Sequence, residues 1–408
     1  MPHDRIEQAL STQLDALDES GRRKGAETVF DGILPSQGGK GPRYRIAGEE
    51  DRPFLRMNAN AYLGMAQQAD VIAAEEAAVR NYGTGPGAVR FISGTWTPHV
   101  SLERRLADFH GRPSAMIFSS AYASIMGALP PLIDNRTAVI SDELNHNCII
   151  NAVRLARPKQ KRVYPHLDLA ALEAELTAAA AGCARAILVT DGVFSMRGDH
   201  APLHDVMELA RRYDGDFAEN VLVVVDDSHG VGAFGATGRG TEEISGNVKA
   251  DLLVATLGKA LGVNGGYVVG SKTVTDYLRE TSPFYVYSNP ITPGEAAAAE
   301  AALDILDSPR GAAMLDHLRA MMRRFRRGLN DLGFETVDGE HPVVPLMVRD
   351  TDRTNALVRH LRDNGILATG LGFPVVPRGD EEIRFQISAD HTEADIDEVL
   401  AALATFAK

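Results

Sequence analysis

Lys259 is the residue of this sequence whose type and surroundings most directly suggest covalent chemistry. It follows an apolar run and lies among several glycines in residues 255–270 (ATLGKALGVNGGYVVG). Glycines let a backbone approach a bound group closely, and partial desolvation lowers the pKa of a lysine and makes it a nucleophile. A surface lysine in a glycine-rich turn explains the segment equally well. The spacing excludes a phosphate-binding P-loop, because Leu253 and Ala260 stand where a glycine and a serine or threonine are required.

A pair of aspartates follows the most apolar run of the chain, residues 221–225 (VLVVV). A carboxylate at the carboxyl end of a parallel strand lies where α/β folds bind ligands. There it can pair with a protonated pyridine nitrogen, which keeps the ring cationic and a good electron sink. Either aspartate can instead cap the following turn. We assign Asp226 to the ligand and consider Asp227 the better candidate for the cap.

Three other strand ends carry polar groups that suit a planar, phosphorylated ligand. His146 follows residues 137–141 and opens a predicted helix, where an imidazole can stack on a ring, although a lone histidine is more often structural. Ser195 follows residues 186–190 outside any G-x-S-x-G elbow, so its hydroxyl suits a ring oxygen. Residues 119–127 run from a strand into a helix start, whose free N–H groups bind phosphate. With Lys259 and Asp226, these are the parts that a pyridoxal phosphate (PLP) site requires.

The elements that must position these residues alternate along the chain. Apolar runs predict strands at residues 114–119, 137–141, 186–190, 221–226, 252–256 and 266–270. These runs are apolar on both faces, as in a sheet covered by helices on each side. Helix-length segments such as residues 168–182 and 202–213 separate several of them. This alternation predicts a mostly parallel sheet with right-handed crossovers.

The two ends of the chain differ from this pattern. Residues 1 to about 25 predict an amphipathic helix, and a glycine-rich loop follows at residues 32–42. The C-terminal part predicts helices and strands at residues 294–306, 311–331, 343–348, 353–363 and 383–388, with a closing helix from Thr392. We therefore predict an α/β protein in three parts: an N-terminal helix and loop segment (1–56), a large ligand-binding domain (57–293) and a smaller α+β C-terminal domain (294–408).

The composition limits the partners and the compartment. The chain has 408 residues and a net charge of −13, which argues against nucleic acid as the main partner because phosphate backbones require a basic face. The N-terminus lacks the basic and apolar regions of a secretory signal, and no run is long enough to cross a membrane. Its two cysteines, Cys148 and Cys183, are too few for a disulfide or zinc framework. We expect a cytoplasmic protein without a metal site.

The order of several motifs resembles a known family. These motifs are SSAY (119–122), SDELNHN (141–147), TDGVFSMRGD (190–199), VDDSHGVGAFGATGRG (225–240) and TLGKALGVNGG (256–266). They resemble the α-oxoamine synthases, fold-type I PLP enzymes that condense an amino acid with an acyl-CoA. The resemblance extends from about residue 57 to the end and implies the PLP-dependent transferase fold type I, with a mostly parallel seven-stranded sheet. Residues 89–95 and 373–392 most resemble the glycine C-acetyltransferases (2-amino-3-ketobutyrate CoA ligases).

The resemblance also implies a role for individual residues. Lys259 would bind PLP covalently and move the Cα proton, Asp226 would pair with the pyridinium nitrogen, and His146 would stack on the ring. It further implies phosphate binding by Ser120, Ala121, Tyr122 and Thr256, with Ser288 from a second subunit of a homodimer, contacts of Ser195 and His229 with the phenolic oxygen of the ring, and binding of the substrate carboxylate by Asn60 and Arg384. The implied substrates are glycine and acetyl-CoA.

Departures from the family pattern leave the substrates open. Ala61, Trp96 and the Ala121–Tyr122 pair differ from the usual residues around the pocket. Another amino acid, or a longer acyl-CoA as in the 8-amino-7-oxononanoate synthases, is therefore an alternative. Residues 22–24 (Arg22, Arg23 and Lys24) are candidates for binding CoA or an ordinary solvated helix face.

Three further functions compete with the acyltransferase. One is a PLP aminotransferase or C–S lyase. Another is a nicotinamide dehydrogenase, suggested by residues 235–240 (GATGRG), but these glycines do not match the dinucleotide-binding spacing. The third is a non-catalytic protein of the same fold, which would have no need of Lys259, Asp226, His146 and Arg384 together.

Overall fold

The computed structural model describes residues 3–20, 22–23, 25–49, 52–373 and 375–406. Its helices are α1 (Asp4–Glu19), α2 (Ala69–Tyr82), α3 (Thr97–His110), α4 (Ala121–Leu132), α5 (Asn147–Ala156), α6 (Leu169–Ala180), α7 (Leu203–Tyr213), α8 (Thr241–Ile244), α9 (Lys272–Thr281), α10 (Pro283–Val286), α11 (Pro293–Leu306), α12 (Pro309–Asp331), α13 (Thr351–Asp363) and α14 (Glu393–Thr405). Its strands are β1 (Phe30–Leu34), β2 (Arg43–Ile46), β3 (Leu55–Arg56), β4 (Ser114–Phe118), β5 (Thr137–Asp142), β6 (Gln160–Tyr164), β7 (Arg185–Asp191), β8 (Val221–Asp226), β9 (Leu252–Thr256), β10 (Gly266–Gly270), β11 (Glu335–Thr336), β12 (Val343–Met347), β13 (Ile366–Leu367), β14 (Thr369–Leu371) and β15 (Glu382–Gln386).

The central sheet has seven strands in the order β4-β10-β9-β8-β7-β5-β6. Only β10 runs antiparallel to its neighbours. The inner strands are buried on both faces, as their continuous apolar runs predict. The α/β architecture with a mostly parallel seven-stranded sheet is therefore confirmed, and each of the six predicted strands belongs to it.

The seventh strand, β6, is absent from the sequence-based prediction. It pairs in parallel with β5 at one edge of the sheet. Its side chains alternate between half-buried and exposed, with Lys161 and Val163 facing out. Charged side chains are typical of edge strands, where they discourage pairing with other molecules. They also remove the apolar run by which the other six strands are predicted.

The C-terminal part forms a four-stranded antiparallel sheet in the order β11-β12-β15-β14, with helices packed against it. One hydrophobic core joins this sheet to the central one, and it includes Leu253, Tyr267, Leu303, Val343 and Phe385. Within that core α11 packs on α2 and α3. The division at residues 56/57 and 293/294 stays a prediction.

The segment that precedes the large sheet is bound to the C-terminal part. Strand β3 pairs in parallel with β13, with Leu55 opposite Ile366 and Arg56 opposite Leu367. Just beyond β3, the Met57 carbonyl accepts a hydrogen bond of 2.8 Å from the backbone N–H of Gln386 in β15. These contacts place the chain after Met57 beside the C-terminal sheet. None of the helices in the described residues is long and apolar enough to cross a membrane.

Candidate active site

A cavity of about 360 Å³ opens at the carboxyl ends of the parallel strands. Strands β7 and β8 end side by side there, with Asp191 in register with Asp226. The lining residues are Ala121, Tyr122, His146, Cys148, Asp191, Val193, Ser195, Asp226, Ser228, His229 and Lys259. Most of the residues predicted to bind the ring and its phosphate therefore share one cavity.

Lys259 lies in a turn after β9 and projects into this cavity. Burial lowers the pKa of its amine to about 8, although the carboxylates of Asp226 and Asp191 act in the opposite direction. An amine with this pKa is partly unprotonated near neutral pH, which is the form that attacks a carbonyl carbon.

The two adjacent aspartates have different surroundings. Asp226 Oδ1 accepts a hydrogen bond of 3.1 Å from the Ser228 N–H, while Oδ2 lies 3.6 Å from the Cys148 thiol, a weak donor. Asp227 instead accepts hydrogen bonds of 2.7 Å and 2.6 Å from the backbone N–H and hydroxyl of Thr241. Asp226 thus lines the cavity and can accept a strong donor, whereas Asp227 holds the following loop.

His146 is the N-cap of helix α5 and lines the cavity. Its Nδ1 accepts a hydrogen bond of 3.2 Å from the Cys148 N–H, so the imidazole caps the helix. The backbone N–H of His146 donates to Asp191 Oδ2 at 3.0 Å, and burial together with nearby Asp226 raises the pKa of Asp191. These contacts fix the ring orientation while the ring itself stays exposed at the cavity, as stacking requires.

A hydrogen bond joins Tyr62 to His229 beside the cavity. The Tyr62 hydroxyl lies 2.8 Å from His229 Nδ1 and 3.4 Å from Asn60 Oδ1. Burial raises the pKa of Tyr62 and lowers the pKa of His229, so the contact joins a neutral phenol to a neutral imidazole. In the tautomer with the proton on Nε2, His229 can donate a hydrogen bond to an oxygen in the cavity.

The start of helix α4 forms one end of the cavity. Ser120 Oγ caps the helix by accepting a hydrogen bond of 3.1 Å from the Ala123 N–H. The first N–H groups of a helix have no acceptor within it and favour a phosphate. Gly266 in β10 makes this arrangement possible, because a Cβ there would collide with the backbone nitrogen of Ala121. The junction is therefore built so that the helix start approaches the sheet closely.

Asn60 and Arg384 come together from opposite ends of the chain. Arg384 Nη2 donates to Asn60 Oδ1 at 3.2 Å. Arg384 Nε is buried and has no hydrogen-bond partner among the residues that the structure describes. A buried guanidinium N–H without a partner is costly, and a carboxylate ligand would satisfy it.

Other predicted residues lie outside the cavity lining. The Thr256 hydroxyl donates to the Gly265 carbonyl at 3.2 Å and accepts from the Gly258 N–H at 3.0 Å. Ser288 is half-buried in the segment before α11. Their predicted phosphate contacts stay predictions. Of the candidate CoA contacts, Arg22 and Arg23 are exposed, and Lys24 lies outside the described residues.

A partly buried ionic cluster supports the loop that carries Ser195. His166 Nδ1 lies 3.0 Å from Asp142 Oδ1, and its Nε2 lies 3.2 Å from Asp199 Oδ2. Burial alone would lower the pKa of His166, but the hydrogen bonds to both carboxylates outweigh it and raise the pKa to about 9. The imidazolium also packs edge-on against Phe194, with 4.4 Å between ring centroids. It therefore joins β5 to the loop after β7.

Replacing His166 with glutamine is expected to lower the free energy of unfolding by roughly 1–2 kcal/mol at pH 7. Because the pKa of about 9 in the folded state exceeds the ordinary 6.5, this stabilisation is fully present below pH 6.5 and disappears as the pH rises through 9. Urea unfolding of both proteins at pH 7 and pH 10 measures the difference. It should shrink at pH 10, and exposed His204→Gln is the control. An equal loss at both pH values would contradict the charged bridge.

Comparison with known proteins identifies the family. Residues 52–403 match the family model described as aminotransferase class I and II. The chain belongs to this family. It is 38% identical to the 8-amino-7-oxononanoate synthase of Geobacter sulfurreducens over 98% of both chains. It is 40% identical to the 2-amino-3-ketobutyrate coenzyme A ligase of Escherichia coli K12 over 86% of both chains. A serine palmitoyltransferase structure from Sphingomonas wittichii superimposes with a TM-score of 0.85 at 24% identity, covering 99% of this chain and 97% of the other.

These findings confirm an α-oxoamine synthase-type acyltransferase with the PLP-dependent transferase fold type I and PLP as its cofactor. The cavity fits this group. It offers a helix start for the phosphate, a carboxylate with a free acceptor and a lysine, and the buried Ser228 hydroxyl on its wall has no partner within the described part of the chain. No group of three or more metal-binding side chains occurs in that part either.

Four polar residues that line the cavity or contact its lining were not predicted from the sequence: Tyr62, Cys148, Asp191 and Ser228. Asp191 ends a buried parallel strand exactly as Asp226 does, so the same rule could have found it. Ser228 stands two positions beyond Asp226 in the same strand-end turn. Tyr62 and Cys148 carry no comparable signal, because their roles depend on contacts with His229 and Asp226 that only the fold creates.

Proposed function

We propose that this enzyme condenses glycine with an acyl-CoA to give an α-amino-β-keto acid and free CoA. The observation that carries the proposal is the grouping of Lys259, Asp226 and His146 in one cavity at the strand ends. Arg384 adds a site for the amino acid carboxylate, since its Nη2 donates to Asn60 Oδ1 and its buried Nε has no partner among the described residues.

Bond changes in the proposed reaction balance without any other reactant. The Cα–H bond of glycine breaks, a bond forms between Cα and the thioester carbonyl carbon, and the C–S bond breaks. Bound PLP supplies the electron sink for the negative charge on Cα. The Lys259 amine accepts the Cα proton, and one proton leaves on the CoA thiol. The reverse reaction, cleavage of the keto acid by CoA, uses the same groups. Decarboxylation of the product to an α-oxoamine remains a variant of the proposal.

The other residues of the site hold the reactants in place. With PLP bound, Asp226 would keep the pyridine nitrogen protonated, and His146 would stack on the ring. His229 and Ser195 would contact the phenolic oxygen. The phosphate would be held by Ser120, Ala121, Tyr122 and Thr256. We further propose a cytoplasmic homodimer in which Ser288 of each subunit completes the phosphate site of the other.

Two candidates exist for the acyl group. Residues 89–95 and 373–392 resemble the glycine C-acetyltransferases, which favours an acetyl group. The similarity to 8-amino-7-oxononanoate synthases favours a longer chain. Both reactions release a thiol and need the same residues around the cofactor, so the choice depends on the space beside them.

Incubating the PLP-loaded enzyme with glycine and an acyl-CoA tests the proposal. Free thiol should appear only when both substrates are present, and mass spectrometry should find the keto acid or its decarboxylated product in equal amount. Replacing glycine with other small amino acids defines the amino acid preference. Transfer of an amino group to a keto acid without thiol release would instead identify an aminotransferase.

A further inference from the structure

A second cavity, of about 660 Å³, adjoins the first one. Ser195, the residue proposed to contact the cofactor oxygen, lines both cavities. Most of its lining is apolar: Leu144, Phe194, Met196, Val337, Met347, Val375, Val376 and Pro377. A space of this kind favours an aliphatic group, since each buried methylene adds roughly fourfold to affinity.

One wall of this cavity carries a buried acid. Side chains two apart on a strand share a face, so Glu382 and Arg384 of β15 lie on the same side, and Glu382 pairs with Met347 of β12. Glu382 is only 2% exposed, and its Oε1 has no partner among the described residues. Burial raises its pKa to about 8, against the opposing effect of Arg384.

The groups around this cavity do not suit an acyl chain that ends in a carboxylate. Asp380 adds a further acid to the lining. The lining cation, Arg197, already bonds Asp199 with 3.1 Å between Nε and Oδ2. An acyl chain that ends in a carboxylate would be desolvated among apolar side chains, close to Glu382 and Asp380. A hydroxyl at the end of the chain would instead give Glu382 Oε1 a hydrogen-bond partner.

We propose that the second cavity receives the acyl chain of the acyl-CoA, that its apolar lining selects uncharged chains of medium length over chains ending in a carboxylate, and that Glu382 selects a terminal hydroxyl. This inference rests on the proposed function. The inferred specificity distinguishes this enzyme from one that forms 8-amino-7-oxononanoate, because the acyl group in that product ends in a carboxylate. It also makes acetyl-CoA a substrate that leaves most of the cavity unfilled.

The test compares four acyl donors with glycine and PLP-loaded enzyme: acetyl-, hexanoyl-, 6-hydroxyhexanoyl- and 6-carboxyhexanoyl-CoA. Thiol release gives kcat/KM, and calorimetry without glycine gives the affinity. Both uncharged six-carbon donors should exceed the acetyl donor at least tenfold in kcat/KM. The carboxylated donor should fall at least tenfold below hexanoyl-CoA in both measurements.

Two variants locate the selection in this cavity. Glu382→Arg should reverse the order, favouring the carboxylated donor over hexanoyl-CoA. Val375→Trp should lower the affinity for hexanoyl-CoA about tenfold without changing that for acetyl-CoA. Val163→Trp is the matched control, since Val163 (48% exposed) lies on the edge strand β6 and Val375 is 43% exposed.

The outcomes separate this inference from the proposed function. If no acyl-CoA releases thiol with glycine, the proposed function fails. If acetyl-CoA works and longer chains do not, or if the carboxylated donor is best in the unaltered enzyme, the acyl-chain cavity is wrong and the function stands. If Glu382→Arg folds, keeps turnover with acetyl-CoA and leaves the order of donors unchanged, Glu382 is not the selecting residue.

Discussion

Replacing Lys259 with alanine is expected to remove the near-visible absorbance of covalently bound PLP and to lower kcat by roughly 10²–10⁴-fold or more. The amine occupies the cavity wall beside Asp226, and its pKa of about 8 suits both covalent attachment and acceptance of a proton. Alanine removes the nitrogen and leaves the turn after β9 otherwise intact. The phosphate end of the cavity, at the start of α4, lies on a separate element and should still bind the cofactor noncovalently.

Absorbance spectra and thiol release, each with excess PLP, measure this loss. The control is Lys272→Ala, since Lys272 lies in the first turn of α9 with its side chain 73% exposed. Lys272→Ala should match the unaltered enzyme in spectrum and rate. A Lys259→Ala protein that kept both the absorbance band and normal turnover would refute the assignment of the lysine.

Asparagine at position 226 is expected to lower kcat roughly ten- to 150-fold, as follows from a charged hydrogen bond of about 1.5–3 kcal/mol. The amide keeps the size of the side chain but cannot hold a proton on the pyridine nitrogen by its charge. Since the hydrogen-bond donor beside Asp226 Oδ2 among the described residues is the weak Cys148 thiol, folding should depend little on this carboxylate. The melting temperature should therefore change little while turnover falls.

Asp227→Asn gives the opposite result and serves as the comparison. The Asp227 carboxylate accepts two hydrogen bonds from Thr241, and the space around it is available because Gly192, Gly230 and Gly240 lack a Cβ. Asparagine turns one acceptor into a donor in this closed space, so stability should fall by roughly 1–3 kcal/mol. Thermal unfolding and thiol release on both variants separate the roles. Similar changes in both would show that the two neighbours do not differ in function.

The central sheet was predictable because its inner strands are buried on both faces. Burial of this kind requires continuous apolar runs, which mark the strand from Val221 to Asp226 and its neighbours. One face of the edge strand β6 is exposed, so this strand needs no continuous apolar run. Its polar residues therefore give no strand signal in the sequence. The same reasoning explains the site: residues at the ends of predicted strands, such as Asp226 and His146, were found, and they line one cavity.

The periodicity of apolar residues does not predict contacts between distant parts of the chain. The sequence pattern does not show that Tyr62 contacts His229, or that Glu382 lines the second cavity. Asn60 and Arg384 were matched only through the family resemblance. Their contact depends on the pairing of β3 with β13 and of β15 with its neighbours, and neither short strand has a distinctive pattern.

The pairing of β3 with β13 has a consequence for biosynthesis. Asn60 and Arg384 stand 324 positions apart. Asn60 is therefore synthesised early, and its contact with Arg384 can form only after most of the chain has been translated. A nascent chain that has completed the large sheet already carries Lys259, Asp226 and the start of α4. It still lacks β13 and β15. The proposed carboxylate site of Asn60 and Arg384 is therefore completed last, when translation is nearly finished, and a chain shortened before Ile366 would retain the proposed cofactor residues without it.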